Sequence, residues 1–471
     1  MRKIIALYFI LFLLAFVYTA QHALVGLDEV MLLDPCLNFM QGSYSSKLWY
    51  AQGAENHFMA YLPALSALRI PFLYLLPNTL FFHRLPLVLL GIICAWLVYK
   101  ITVAKFKQSA LTFLTILLFI NDKGIWDATL SGRSEMIQVF LILLFFFFST
   151  KNATVFYNIL KGLTVGALFL THPPAWSIAV LLSIILYRTN TIRGFYIALL
   201  AMVSPLLIFL ITIHFDILAL AKQLFLDGSL YSSKHTFLYR ISHFYERFLP
   251  YPYLYQPWVV LLILACVYFL LNTKISKQPM VQQIGWVFLL YLTFLLLVSE
   301  NLYRYNPPLL VVAYLLFPYV LQSLQDRFGF TIKRPIIMAV VCLISIPYAV
   351  RAVSILKKTK NNNTAILIDQ FKHSSVFKET ENSLIIGEPV GYYLAMNLPS
   401  TAYSTHYTIL KFDSLYYKKV YFLTYQNLPS DRFSLVIDNP EKISGGTYNA
   451  LKLYEVINPS FSIMDKQRRL Q

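Results

Sequence analysis

Residues 139–148 read VFLILLFFFF, ten apolar side chains in succession. Outward from this run, the chain repeats the pattern in stretches of roughly 15 to 20 apolar residues that are separated by short polar breaks. Of the 471 residues, 58% are apolar and only 13% are charged, about half the charged share of a soluble globular protein. This composition excludes a disordered chain, a collagen-like chain and an ordinary cytosolic enzyme.

The long apolar runs predict membrane-spanning helices, because only helices and closed barrels satisfy their backbone polar groups in lipid. A barrel would instead alternate apolar and polar side chains over segments of about ten residues. We therefore predict a polytopic α-helical membrane protein with about eleven spans. The first span could instead be a cleaved signal peptide, although a polytopic chain more often keeps its first helix as an anchor. The predicted spans cover roughly residues 3–20, 83–103, 108–121, 134–150, 157–172, 175–188, 194–213, 256–272, 283–299, 307–324 and 335–350.

The distribution of charge sets the predicted orientation. With a cytoplasmic N-terminus, 14 of the 24 basic residues before position 351 fall in cytoplasmic breaks, as the positive-inside rule requires. Of the twelve acids in the same region, eleven fall on the outer side and only Asp326 falls inside. Acids contribute little to topology, so their segregation indicates a reaction site at the outer membrane surface. The alternative is that longer outer loops simply hold more polar residues.

An odd number of spans places the C-terminus outside. Residues 351–471 carry 15 basic and 10 acidic residues and contain short apolar segments instead of long runs. Strands are predicted at 383–386, 420–423, 435–437 and 453–457, and a helix at 390–396. We therefore predict a transmembrane module over 1–350 and a small external α/β domain over 351–471.

The first outer loop, residues 21–82, has helical patterns that prolines interrupt. One covers Leu27–Met40, and the other covers 58–76 and contains Pro63, Arg69 and Pro71. The second is a poor spanning helix, so we predict that it lies in the membrane interface. If it spanned, every later loop would change sides, against the positive-inside bias.

The order of these features resembles the membrane-embedded GT-C glycosyltransferases, in the branch of the protein O-mannosyltransferases and the lipid A aminoarabinose transferase. The resemblance covers roughly residues 1–350. The matching stretches are LDE at 27–29, ENH at 55–57 running to LP at 62–63, HRLP at 83–86, SGRSE at 131–135, LTHPP at 170–174 and YRYNPP at 303–308.

The resemblance implies a glycosyltransferase of the plasma or inner membrane. Such an enzyme moves a sugar from a polyprenyl-phosphate donor to a hydroxyl of a lipid, glycan or protein at the outer face, with inversion. This chemistry needs a general base near the acceptor and cations that meet the developing phosphate charge. An apolar groove between helices would hold the lipid of the donor.

The resemblance assigns the base to Asp28, and Glu29 either orients Asp28 or stays solvated. The alternative for Asp28 is an ordinary helix N-cap. Asp34 precedes Pro35 and is predicted to be a turn residue. Glu135 is the second catalytic acid, at a position where many relatives carry Asp; its alternative role is a structural pair with Arg133.

For the donor phosphate, Arg304 ranks first and Tyr305 shields it, because the two lie just before a proline-opened span. The alternative is snorkelling of Arg304 in an aromatic belt. Arg84 could bind phosphate or merely anchor its helix. His57 stands where relatives often carry Lys, and a neutral His would bind phosphate less well. The basic loop 222–247 could also contact the donor phosphate, or it could simply be a solvated charged loop. His172 is a further candidate, and its alternative is an ordinary histidine at a helix end.

No cofactor is firmly implied. The sequence has no zinc or EF-hand ligand spacing, and a divalent cation is compatible with the resemblance because some members of the family need one. Two other classes of membrane protein are alternatives, and each has its own sequence pattern. A transporter or flippase should carry charges in mid-span and internal repeats, and an O-antigen-type polymerase or ligase should have a large late outer loop. Neither pattern is evident here.

Overall fold

The computed structural model describes residues 25–46, 62–226, 257–272, 278–298, 302–329, 364–373, 382–404, 419–438 and 451–456, apart from a few residues within these ranges, and isolated positions elsewhere. Within this part the chain is mostly helical and carries one sheet. Its helices are α1 Leu27–Met40, α2 Ala64–Leu75, α3 Leu80–Phe106, α4 Ala110–Ile120, α5 Lys123–Leu130, α6 Glu135–Ser149, α7 Val155–Phe169, α8 Trp176–Thr189, α9 Ile192–Thr212, α10 Ile217–Ala221, α11 Pro257–Asn272, α12 Pro279–Val298, α13 Leu302–Phe328, α14 Thr364–His373 and α15 Val390–Asn397. A 3-10 turn covers Pro173–Ala175 and a π turn covers Lys222–Leu226.

Among the described residues, four helical segments are long and apolar enough to cross a membrane: α3, α9, Pro279–Leu297 of α12 and Asn306–Phe328 of α13. They become five if Gly124–Leu130 and α6 form one broken span. Other predicted spans correspond to shorter apolar helices, and residues 335–350 and most of 3–20 lie outside the described part. The count of about eleven therefore stays a prediction.

Hydroxyl side chains begin several of these helices. Ser109 Oγ accepts a hydrogen bond from Thr112 N before α4, Thr154 Oγ1 from Tyr157 N before α7, and Thr191 Oγ1 from Gly194 N before α9. Each bond satisfies a backbone donor that the first helical turn would leave unpaired. Ser109, Thr154 and Thr191, which lie in the short polar breaks between apolar runs, therefore also mark where the next helix begins.

The chain divides into two compact units. Unit 1 comprises residues 1–58, 69–85 and 350–471, and unit 2 comprises 59–68 and 86–349. The division predicted from the sequence, 1–350 and 351–471, stays a prediction. Within unit 1, α1 and Leu80 of α3 share a buried apolar cluster with the C-terminal segment.

In unit 2, α7 and α9 approach each other closely at two glycines one turn apart. A Cβ atom at Gly162 would lie 2.1 Å from the Ala198 carbonyl oxygen, and one at Gly166 would lie 2.3 Å from that of Met202. Small residues four apart are the usual means by which membrane helices bring their backbones together.

Unit 1 contains a five-stranded sheet in the order β2-β1-β3-β5-β4. Strands β1 and β2 and strands β1 and β3 pair in parallel, whereas β5 pairs antiparallel with both β3 and β4. Four strands and α15 lie where the sequence predicted them, and β2 was missed. The strands are β1 Ser383–Gly387, β2 Thr401–Ser404, β3 Lys419–Thr424, β4 Phe433–Asp438 and β5 Lys452–Val456.

The two faces of the sheet bury alternate side chains, as the period of a strand requires. On one face, Leu384, Ile386 and Phe422 pack with Phe433. On the other face, Ile385 belongs to a larger apolar cluster that includes residues of α1, α14 and α15. The first outer loop and the C-terminal segment thus share one hydrophobic core.

Candidate functional site

Helix α1 carries two of the predicted catalytic residues in its first turn. Asp28 is the second residue of the helix, and its side chain lies outside the described part of the structure. Glu29 is buried and pairs with Arg84: Arg84 Nε donates to Oε1 and Nη2 donates to Oε2, each at 2.7 Å. Glu29 is therefore held in a buried ion pair and is not solvated.

The guanidinium of Arg84 is turned toward protein groups. Its Nη1 donates to the Ala20 carbonyl at 2.8 Å, and both Arg84 and Glu29 are only 1% exposed. A fork-to-fork pair is the strongest geometry for a guanidinium and a carboxylate. It also occupies the N–H groups that a phosphate would need. The phosphate role of Arg84 stays a prediction, and this geometry favours the alternative, an anchor for α3.

Asp34 is not the turn residue that the sequence predicted. It lies within α1, is buried, and accepts hydrogen bonds from Ser46 Oγ at 2.8 Å and Tyr392 Oη at 3.2 Å. Asn38 Nδ2 approaches the same carboxylate at 3.3 Å. The prediction was wrong because Pro35 removes only one backbone donor from the helix, and the tertiary hydrogen bonds hold Asp34 in helical conformation.

Two adjacent tyrosines of α15 contact α1 and the start of α3 within unit 1. Tyr392 binds Asp34, and Tyr393 Oη lies 3.1 Å from His83 Nδ1, with the rings 5.5 Å apart. Burial raises the pKa of Tyr392 well above its ordinary value, and the neighbouring Asp34 carboxylate raises it further. Tyr392 is thus a neutral hydroxyl that donates to Asp34.

In unit 2, Glu135 begins α6 beside Arg133. Arg133 Nε donates to Oε2 at 3.0 Å and Nη2 donates to Oε1 at 2.9 Å, while the Glu135 side chain is 1% exposed. The structure thus shows the Arg133 pairing that was the alternative role for Glu135.

Sequence reasoning missed two polar groups beside Glu135. Among the described residues, neither Ser134 Oγ nor either amide atom of Gln138 has a hydrogen-bond partner, and both side chains are buried. They lie four residues apart and thus on one face of the helix. The sequence did contain a signal for this cluster, because Gln138 is a polar residue within an apolar run.

Another buried carboxylate of unit 2 has a structural role. Tyr314 Oη donates to Asp122 Oδ2 at 2.7 Å, and Asp122 Oδ1 accepts from Ile125 N at 2.9 Å. The second bond caps the start of α5, and the first ties that turn to α13.

The side chains of most of the remaining predicted site residues lie outside the described part of the structure. His57 lies outside the described residues, as do positions 227–247 of the basic loop. Arg304 and Tyr305 belong to the first turn of α13, not to a loop before it, and their side chains are outside the described part. Within that part, no group of three or more His, Cys, Asp and Glu side chains is arranged as metal ligands would be.

No protein-family model matches the chain, and no curated protein matches its sequence. Among solved structures, the chain is similar to ArnT from Cupriavidus metallidurans bound to undecaprenyl phosphate, with a TM-score of 0.64 and 10% identity. The match covers 97% of this chain and 98% of that chain. ArnT is the lipid A aminoarabinose transferase and has the GT-C fold. The predicted resemblance is confirmed at the level of the fold, over nearly the whole chain.

Proposed function

We propose that this chain is an integral membrane glycosyltransferase that moves a sugar from a polyprenyl-phosphate donor to an acceptor hydroxyl. The observation that carries the proposal is the similarity to ArnT over 97% of the chain, since the ArnT structure holds undecaprenyl phosphate. The apolar helices of unit 2 supply surfaces against which a lipid chain can lie. The acceptor is a lipid, a glycan or a protein.

The reaction is a single displacement at the anomeric carbon. Asp28 takes the proton of the acceptor hydroxyl as its oxygen forms a bond to that carbon. The bond between the carbon and the phosphate oxygen breaks, and polyprenyl phosphate leaves with the bonding electrons. The configuration inverts because the nucleophile and leaving group occupy opposite sides. A general base typically contributes about two to four decades of rate.

Cations are required where negative charge grows on the leaving phosphate. Arg304 is the proposed main contact, since a guanidinium fits phosphate through two parallel N–H groups. Tyr305 and His57 are proposed as further donors to the phosphate oxygens. Arg84 takes the indirect role of holding Glu29 and, through it, the first turn of α1.

Glu135 is proposed to bind a hydroxyl of the sugar or the acceptor. Arg133 holds both carboxylate oxygens, which fixes their direction but leaves lone pairs free, because a carboxylate has about four acceptor sites. A preorganised acceptor of this kind can orient a substrate without moving during the reaction.

Orientation completes the proposal. The N-terminus is cytoplasmic, residues 351–471 lie outside the cytoplasm, and transfer takes place at the outer face of the inner or plasma membrane. The positive-inside bias and the segregation of acids support this arrangement.

Comparing a deletion strain with its parent by mass spectrometry of lipid-linked and surface glycans tests the function. The deletion should accumulate the polyprenyl-phosphate sugar and lack one sugar on a surface glycan, lipid or protein, and Asp28→Asn should not restore that sugar. Unchanged glycans would overturn the proposal. A flippase would be indicated if the donor accumulated only in the cytoplasmic leaflet.

A further inference from the structure

We propose that the C-terminal α/β domain positions the catalytic end of α1 and the start of α3, through the neighbouring hydroxyls of Tyr392 and Tyr393. The inference rests on the proposed function for the meaning of "catalytic", but the contacts themselves do not depend on it. Neither tyrosine is proposed to touch the substrate, so both are positioning residues.

The first contact joins α15 to α1. Tyr392 Oη lies 3.2 Å from Asp34 Oδ1, while Ser46 Oγ donates to the other oxygen, Oδ2, at 2.8 Å. Asp34 is 8% exposed and Tyr392 is 7% exposed, so water is largely absent. A buried carboxylate that loses a donor is costly, which makes the docked arrangement the one that satisfies Asp34.

The second contact joins α15 to α3. Tyr393 Oη lies 3.1 Å from His83 Nδ1, and both side chains are almost completely buried. The rings of Tyr392 and Tyr393 are nearly perpendicular, at 89°. Two consecutive residues of one short helix therefore reach two different helices, α1 and the start of α3.

Apolar packing makes the docking rigid. Val30, Met31 and Leu33 of α1 and Leu80 of α3 belong to the same buried cluster as Ile385 of β1 and several residues of α15. Residues of a close-packed cluster do not move independently. Helix α1, the start of α3 and the C-terminal domain therefore pack together within unit 1.

The docking bears on the reaction through the Glu29–Arg84 pair. Arg84 follows His83 directly, and Glu29 lies five residues before Asp34 on α1. Each partner of the ion pair is thus carried by a segment that one of the two tyrosines holds. Loosening either segment disturbs the pair and with it the first turn of α1, where Asp28 is located.

Cys36 supplies a reporter that is independent of activity. It lies in α1, two residues after Asp34, and its side chain is fully buried. With Cys94, Cys266 and Cys342 changed to Ser, Cys36 is the only thiol of the full-length protein. Its rate of modification by a maleimide in native membranes measures how often α1 separates from the domain.

Tyr392→Phe should raise the labelling rate of Cys36 by about ten- to a hundredfold, because it removes a hydrogen bond to a buried charged group. Asp34→Asn should act in the same direction. The matched control is Tyr403→Phe, which removes a hydroxyl whose hydrogen bond, to the Gly387 carbonyl at 2.7 Å, lies inside the domain. The control should leave the labelling rate within twofold of the parent.

The same three variants, together with Tyr393→Phe, are then assayed for transfer. Tyr392→Phe and Tyr393→Phe should lower kcat with little change in KM for the donor, while Tyr403→Phe should match the parent. Unchanged labelling in Tyr392→Phe and Asp34→Asn would overturn the docking, and raised labelling with unchanged kcat would overturn the positioning role. If the parent protein transfers no sugar, the proposed function fails. The labelling experiment still tests the docking of α1 on the domain, because it does not depend on activity.

Discussion

Arg84 and Glu29 form a buried, bidentate ion pair, with both nitrogen-to-oxygen distances at 2.7 Å. The pair joins the start of α3 to the first turn of α1, although the two residues are 55 positions apart in the sequence. Because neither side chain reaches solvent, each charge depends on the other for the interactions that water would otherwise supply.

Removing one partner of the pair should therefore destabilise the folded protein strongly. Glu29→Gln leaves the Arg84 guanidinium buried and uncompensated, and we expect a loss of about 3–5 kcal/mol in the free energy of unfolding. Thermal unfolding of the purified protein in detergent measures it. The control is Glu455→Gln, which breaks a half-exposed pair with Lys419 at 3.8 Å and should cost less than about 1 kcal/mol. Equal losses in the two variants would contradict the structural role of the Glu29–Arg84 pair.

Replacing Gln138 with an apolar residue should stabilise the folded protein. Its buried amide has no partner among the described residues, so Gln138→Met removes an unsatisfied group at similar volume. We expect an increase of about 1 kcal/mol in the free energy of unfolding. Thr115→Val serves as a control of opposite sign, because Thr115 Oγ1 already donates to the Leu111 carbonyl at 2.8 Å. A destabilised Gln138→Met would mean that the amide binds a group the described residues do not include.

The predicted orientation has a direct test. A phosphatase that is active only outside the cytoplasm, fused after Asn362, should be active, because the positive-inside bias predicts a cytoplasmic N-terminus and an odd number of spans then puts residue 362 outside. A reporter that is active only in the cytoplasm, fused at the same position, provides the control. Activity of the second reporter alone would reverse the topology and move the outer-face acids to the inner face.

Arg304 separates phosphate recognition from membrane anchoring. If its guanidinium meets the donor phosphate, Arg304→Ala should reduce turnover strongly and Arg304→Lys should recover only part, because Lys keeps the charge but loses the fork. Arg327 at the other end of α13 donates to the Tyr268 hydroxyl at 2.6 Å, and Arg327→Ala should leave turnover unchanged. Full recovery by Lys would assign Arg304 to the aromatic belt, since lysine snorkels as well as arginine.

Local patterns predicted much of the fold. The apolar runs located the helices of unit 2, and short apolar segments located β1, β3, β4 and β5. The helical pattern of Leu27–Met40 has the bounds of α1, but the interruption predicted at Pro35 is absent, because the helix continues through the proline. These features depend on periodicity and length, which a single sequence carries.

Pairings between distant residues could not be predicted. Nothing local indicates that Asp34 binds Tyr392, 358 residues away, or that Glu29 binds Arg84. By contrast, the pairing of Glu135 with Arg133 was foreseen as an alternative because the two are neighbours in the chain. The shared core of α1 and the sheet likewise follows from tertiary packing, which periodicity does not encode.

The central claim is that Asp28 deprotonates the acceptor while a polyprenyl-phosphate sugar is consumed. Its most direct test uses the purified protein in lipid nanodiscs with a polyprenyl-phosphate sugar and a membrane extract as acceptor, and measures released polyprenyl phosphate. The parent protein should release it in step with sugar transfer, and Asp28→Asn should slow release by about two to four decades while unfolding at the same temperature. Asp127→Asn, at a half-buried position in α5, should match the parent. Release by Asp28→Asn at the parental rate would contradict the assignment of the base, and no release by the parent would contradict the proposed reaction.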